Sequence, residues 1–317
     1  MKEMFQIKQI TRDQILNMLK ADRNRLFKIA FECREYNLGN YFDTCSIVNA
    51  KSGNCSEDCK WCAQSGKHNS VIEKYPLVDE RSVIQRALFI QSKGIKRFSL
   101  VTSGKRLNDD QVNKVSRLIQ SLRNRTDLHL CGSFGLLDKS QLEKLKAAGL
   151  QRYHCNLETS ASFFINVCTS HSYEEKIQTI IWAREVGLDL CSGLLMGMGE
   201  SMSDRIDLAY EFNRLGILSI PINILNPIPG TQFENLPVSN EIEILDTLAT
   251  FRLINPRAYI RLAGGRSLID GLLMKAIAVG VNASILGELL TTSGSEIDDD
   301  IATIKHGGMQ INNDDGK

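Results

Sequence analysis

The 317-residue sequence has no apolar run long enough for a membrane span, which takes about 18 residues or more, so no membrane partner is expected. Its first 20 residues lack a continuous apolar stretch, because Lys, Glu, Gln and Asp interrupt isolated apolar side chains. No secretory signal is visible there, and the expected location is the cytoplasm. The charge is nearly balanced, with a formal net value of +1, so no electrostatic field favours nucleic acid or an anionic surface. Low-complexity linkers and long repeats are also missing. What is abundant is cysteine: nine residues, at positions 33, 45, 55, 59, 62, 131, 155, 168 and 191. A reducing compartment disfavours structural disulfides, so so many thiols point to metal binding or thiol chemistry.

The remaining composition, 43% hydrophobic and 24% charged, is that of an ordinary folded chain. Residues 11–37 carry apolar side chains at helical spacing and predict two short amphipathic helices. From residue 41 the rhythm changes. Short β-prone runs at 45–49, 97–102, 129–133, 153–157, 189–194, 220–225, 259–263 and 283–286 alternate with helical patterns. Several helical patterns end on Gly, as at Gly94, Gly149, Gly187, Gly216 and Gly280, where a left-handed turn is needed. Eight such units predict an α/β fold, a closed (β/α)8 TIM-type barrel with N-terminal helices; an open doubly wound sheet is the alternative. The expected organisation is a helical extension over 1–40, the barrel over 41–305 and a flexible tail over 306–317.

The strongest local signal is the run Cys55-Ser56-Glu57-Asp58-Cys59-Lys60-Trp61-Cys62. It follows the first strand and so falls on the barrel face where active sites gather. Thiolates bind soft metals, and three rather than four leave one metal position open for chemistry. The alternative is a structural zinc knuckle closed by His68 or a distant cysteine. Cys33 and Cys168 read as bystanders.

The CxxxCxxC spacing with Trp61 before the last cysteine resembles the radical S-adenosylmethionine (SAM) signature. The resemblance implies a [4Fe–4S] cluster on Cys55, Cys59 and Cys62, with SAM on the open iron and Trp61 against the adenine. Further segments in the same order are similar to the biotin synthase family: residues 51–65 around the cluster, 153–160, Leu190-Cys191-Ser192-Gly193, Pro221-Ile222-Asn223, 260–266 and Leu290-Thr291-Thr292. By that resemblance Asn156, Glu158 and Lys176 contact SAM. His154, Asn223, Thr291 and Thr292 contact the substrate dethiobiotin, Asn223 at its ureido ring and the threonines at its carboxylate. Alternation along a strand puts His154, Asn156 and Glu158 on one face. The family usually has Asp at the Glu158 position and Arg at that of Lys176, so bidentate geometry is lost there.

Biotin synthases also carry an auxiliary [2Fe–2S] cluster, held by cysteines on the second, third and fifth strands and an Arg on the seventh. Cys131, Cys191 and Arg261 match three of these positions, whereas Ser99 stands at the fourth. Cys45 and Cys155 are extra. Either the small cluster persists with Ser99 or water, or Cys45, Cys131, Cys155 and Cys191 hold a larger auxiliary cluster; the second is preferred. Cys45 and Cys155 could instead be small buried residues. The implied activity is sulfur insertion into dethiobiotin, with flavodoxin or ferredoxin as electron donor and a homodimer as the assembly. The rivals are a related radical enzyme of the hydrogenase maturase or methylornithine synthase type, and a noncatalytic zinc protein.

Overall fold

The computed structural model describes residues 10–291 and 294–311. Two helices open the fold, α1 (Arg12–Ala21) and α2 (Arg23–Leu38). Thr11 and Gln14 form a capping box that starts α1, and Asp22 ends α1 while its carboxylate caps α2.

The strands are β1 (Tyr41–Lys51), β2 (Arg97–Thr102), β3 (His129–Ser133), β4 (Arg152–His154), β5 (Asp189–Cys191), β6 (Leu194–Met196), β7 (Ser219–Ile224), β8 (Tyr259–Leu262) and β9 (Ala283–Ile285). They pair in parallel in chain order, except that β5 and β6 both pair with β7 rather than with each other, and β9 pairs back onto β1 through Asp43–Ala283 and Cys45–Ile285, which closes the barrel. The fifth position of the barrel is split into β5 and β6. Gly193, between them, packs so closely that a Cβ would stand 2.1 Å from the Pro221 carbonyl oxygen.

The outer helices are α3 (Glu80–Ser92), α4 (Asp109–Arg125), α5 (Lys139–Ala147), the single turn α6 (Ala161–Phe164), α7 (Tyr173–Glu185), α8 (Met202–Arg214), α9 (Glu241–Ile254), α10 (Leu272–Ala278) and α11 (Ile297–His306). In α4, Val112, Val115, Leu118, Ile119 and Leu122 recur at helical spacing and are buried against the sheet. From Ile244 onward α9 is buried on every face, because α2 covers the side turned away from the barrel. Its Arg252 is fully buried and donates to the carbonyls of Gly280, Asn255, Pro256 and Ala258 and to Asn282 Oδ1. That set of acceptors is what makes a buried guanidinium tolerable. The N-terminal helices thus brace the barrel wall.

The segment 306–317, expected as a flexible tail, opens with the end of a helix and a short strand. α11 runs to His306, and β10 (Gln310–Ile311) pairs in parallel with Tyr41 and Phe42. Residues 312–317 lie outside the described residues. Among the described residues no helix is long and apolar enough to cross a membrane.

Candidate active site

The cysteine loop leaves β1 where the chain must reverse, and Gly53 and Asn54 supply positive φ of 73° and 51°. Hydrogen bonds then clip the loop into one shape. Cys55 N donates to Gln64 O at 3.0 Å, Gly66 N to Cys55 O at 2.7 Å, and Cys62 N to Cys59 O at 3.0 Å. The loop is also gripped from across the barrel mouth. Lys60 N donates to Val167 O at 3.0 Å, and Asp58 accepts from the backbone N–H groups of Thr169 and Ser170 at 2.9 and 3.0 Å. These bonds hold the Asp58 carboxyl well below the usual range although partial burial opposes them. The His68 Nδ1–H donates to Cys62 O at 2.9 Å, which ties the imidazole to the loop backbone. Burial pushes the Cys62 thiol up to about 11, so a thiolate there calls for a cation beside it.

Facing the loop is the end of β4. His154, the last residue of β4, and Asn156 and Glu158 just beyond it all line the cavity. Glu158 has φ 72°, a left-handed conformation rare outside Gly, and two bonds enforce it: its N–H donates to Gly193 O and its carbonyl accepts from Leu195 N. Asn156 Nδ2 donates to Glu158 Oε2 at 3.3 Å, while Asn156 Oδ1 is buried with no partner. An orphaned acceptor beside a carboxylate suits a hydroxyl-bearing ligand. Lys176 on α7 reaches in to donate to Asn156 O at 2.9 Å. Burial opposes its charge, but Cys155, Glu158 and Cys59 outweigh this and raise its pKa.

Deeper in the barrel, Cys45, Cys131 and Cys191 are buried or nearly so and line the same cavity with Arg261 and Ser99. Burial lifts the Cys45 thiol to about 12, and Cys131 and Cys191 are near enough to add to that rise. Arg261 is anchored by Ser284 O at 3.1 Å and by the carboxylate and carbonyl of Asp43. Asp43 also accepts from Arg97 Nε at 2.8 and 3.0 Å. Burial would raise the Asp43 carboxyl, yet the guanidinium groups of Arg261, Arg97 and Arg152 pull it below its ordinary value. His154 Nδ1 lies 3.2 Å from Cys191 Sγ, so this side chain faces the thiol set at the base.

The two thiol groups therefore open on one cavity of about 430 Å³, with Trp61, Asn223 and Thr291 also on its wall. The Asn223 amide is engaged at both ends: Nδ2 donates to Leu194 O at 3.1 Å and Oδ1 accepts from Gly264 N at 3.0 Å. Thr292 lies outside the described residues.

Two family models match the chain, the Radical SAM superfamily over residues 50–210 and the Biotin and Thiamin Synthesis associated domain over 221–310. The biotin synthase of Parabacteroides distasonis is 45% identical over 294 residues, covering 92% of this chain and 90% of its own length. That of Desulfotalea psychrophila is 47% identical and covers 94% and 89%, and that of Clostridioides difficile is 44% identical and covers 96% and 95%. The chain belongs to the biotin synthase family. Among solved structures, methylornithine synthase superposes with a TM-score of 0.84 at 16% identity, over 98% of this chain and 96% of its own. The hydrogenase maturase of Carboxydothermus hydrogenoformans gives 0.83 at 15% identity, over 97% and 78%. At that identity they show the shared barrel alone.

All four cysteines of the expected auxiliary set, Cys45, Cys131, Cys155 and Cys191, line the one cavity. Cys155 follows the last residue of β4, and although it borders the cavity its charged neighbours are Lys176 and Glu158. It also adds to the rise in the pKa of Tyr153, whose hydroxyl donates to Gly135 O at 2.6 Å. Simple alternation would turn Cys155 away from His154, but β4 ends at His154, and Cys155 borders the upper wall of the cavity. Cys168, read from the sequence as a bystander, lies 3.7 Å from Cys59, sulfur to sulfur. Its place is set by Asp58 gripping residues 169–170, a contact across 111 and 112 positions that no local pattern announces. The motif neighbour Asp58 was the one available signal.

Proposed function

We propose that this chain is a biotin synthase that inserts sulfur into dethiobiotin. Cys55, Cys59 and Cys62 hold a [4Fe–4S] cluster with its fourth iron open to SAM. Cys45, Cys131 and Cys191, with Arg261, hold an auxiliary iron–sulfur cluster larger than or equal to [2Fe–2S]. When bound, the first group supplies the electron that cleaves SAM to a 5′-deoxyadenosyl radical, and the second supplies sulfur.

The chain's own residues bind, orient and exclude water. Glu158 and the free Asn156 Oδ1 accept from the ribose hydroxyls, and Lys176 places a positive charge by the SAM carboxylate. Trp61 offers its backbone to the adenine. Asn223 orients the ureido ring, while Thr291 and Thr292 receive the substrate carboxylate. The closed barrel keeps the reacting carbons from water, which matters because a radical is quenched by whatever it meets first. Asp43 fixes Arg261 and so sets the floor of the site. An electron donor of the flavodoxin or ferredoxin type, a cytoplasmic location and a homodimer complete the reading.

The observation that carries the reading is the shared cavity. A three-thiol loop stands at its mouth, and a second thiol set with a buried Arg stands at its base. The test is anaerobic reconstitution followed by SAM, reductant and dethiobiotin, with both 5′-deoxyadenosine and biotin measured. A related radical enzyme with another substrate would form 5′-deoxyadenosine and no biotin. A zinc protein would form neither. Rescue of a biotin-requiring strain lacking its own synthase checks the same point in cells.

A further inference from the structure

We propose that Cys59, Cys168 and His171 form a mononuclear site for a thiophilic divalent cation in the cluster-free chain. Their ligand atoms all lie within 4.8 Å of one another. Two thiolates on one tetrahedral ion, each about 2.3 Å from it, stand about 3.8 Å apart. Cys59 Sγ and Cys168 Sγ are 3.7 Å apart. A thiolate and an imidazole nitrogen on such an ion are separated by about 3.5 Å. Cys168 Sγ stands 3.7 Å from His171 Nε2 and 3.4 Å from Nδ1, beside the ring, so the imidazole turns to aim Nε2 at an ion shared with that sulfur.

Glu57 decides which imidazole nitrogen is free to bind. His171 Nδ1 lies 2.7 Å from Glu57 Oε2, and both side chains are less than a tenth exposed. A proton fixed on Nδ1 by a carboxylate leaves Nε2 as the ligand, the usual support behind a metal-bound histidine. The segment carrying Cys168 and His171 is pinned independently, by Asp58 accepting from Thr169 N and Ser170 N and by Ser170 Oγ donating to Glu57 Oε2 at 2.8 Å. Two thiolates and an imidazole select zinc or ferrous iron over magnesium or calcium, and the fourth position is left to water. Because Cys59 is shared, an ion held here competes with cluster assembly; this clause rests on the proposed function, and the ion site itself does not.

The test uses the full-length chain, purified anaerobically without its clusters and titrated with Co²⁺ alone. The expected result is one equivalent bound, with tetrahedral cobalt absorption and a thiolate charge-transfer band. Cys168→Ser and His171→Ala lose that spectrum, and Glu57→Gln weakens binding about 10- to 100-fold. Cys55→Ala keeps it. Persistence of the spectrum in Cys168→Ser, or its loss in Cys55→Ala, overturns the proposal, since either places the ion on the loop triplet. Should Cys168→Ser not fold, alkylation of the native chain decides. Zn²⁺ must protect Cys59 and Cys168 together and leave Cys55 and Cys62 reactive; equal protection of the loop triplet overturns the site. Reconstitution with iron and sulfide, with and without prior Zn²⁺, separates the two readings. Slower cluster formation after Zn²⁺ supports the competition, and an unchanged rate refutes it. A chain that never builds a [4Fe–4S] cluster overturns the proposed function and leaves the cobalt result standing.

Discussion

Replacing Asp43 by Asn should unsettle both the fold and the deep end of the site. Asp43 is 7% exposed, and its carboxylate is shared by Arg261 and Arg97, with Arg152 also near enough to act on it. Removing one member of a buried ion pair costs about 3–5 kcal/mol, because the remaining charge is left buried without its partner. Here Arg261 would keep the carbonyl oxygens of Asp43 and Ser284, so the lower figure applies. A loss of about 3 kcal/mol corresponds to a fall in Tm of about 4–5 °C for a chain of this size. Calorimetry of the cluster-free chain at one scan rate reads this directly. The same variant should lose auxiliary iron after reconstitution, since Arg261 no longer has a fixed position, and it should still cleave SAM. A Tm within about 2 °C of the native chain would refute the claim that Asp43 neutralises the barrel floor. Full auxiliary iron would refute the claim that it positions Arg261.

Other substitutions test the division of the cavity. Alanine at Cys55, Cys59 or Cys62 should abolish 5′-deoxyadenosine formation, whereas Cys45→Ala should remove auxiliary iron and biotin formation but spare SAM cleavage. Cys155→Ala should leave auxiliary iron unchanged in Mössbauer spectra, because its neighbours are Lys176 and Glu158; loss of that iron would restore it as a ligand. Gly193→Ala should lower stability by several kcal/mol and displace Asn156, since the added Cβ would meet Pro221 O at 2.1 Å and Asn156 Oδ1 at 2.8 Å. Asp204 gives a pH test. Burial raises its pKa, but bonds from Ser201 and Ser160 outweigh this and hold the folded value below its ordinary value of 3.8. Its contribution is present above 3.8 and is lost as pH falls through the folded value. The gap in Tm between the native chain and Asp204→Ala should therefore shrink from about pH 6 to about pH 3.

What the sequence disclosed and what it hid divide along the range of the interactions. The alternation of strands and helices is local, and the structure finds all eight barrel positions where the β-prone runs lie. Helix starts are local as well: Asn108 with Gln111, Asp138 with Gln141 and Ser172 with Glu175 form capping boxes three residues apart. The break between β5 and β6 is not local, because Gly193 is needed for the approach of Pro221 from the neighbouring strand. Nor is β10, two residues long and held by Tyr41 and Phe42 from the other end of the chain. Cysteine is where the difference matters most. Three thiols within eight residues declare a metal loop by spacing alone. Cys45, Cys131 and Cys191 become a set only when the barrel closes, through the pairings of β1 with β9 and of β4 with β5. Cys168 joins Cys59 only because a carboxylate in the metal loop captures two backbone amides on the far side of the mouth. A thiol's chemistry in this barrel is therefore decided by which strand end or loop the closed ring brings beside it. Substitutions that alter ring closure should change iron content even where no ligand is touched.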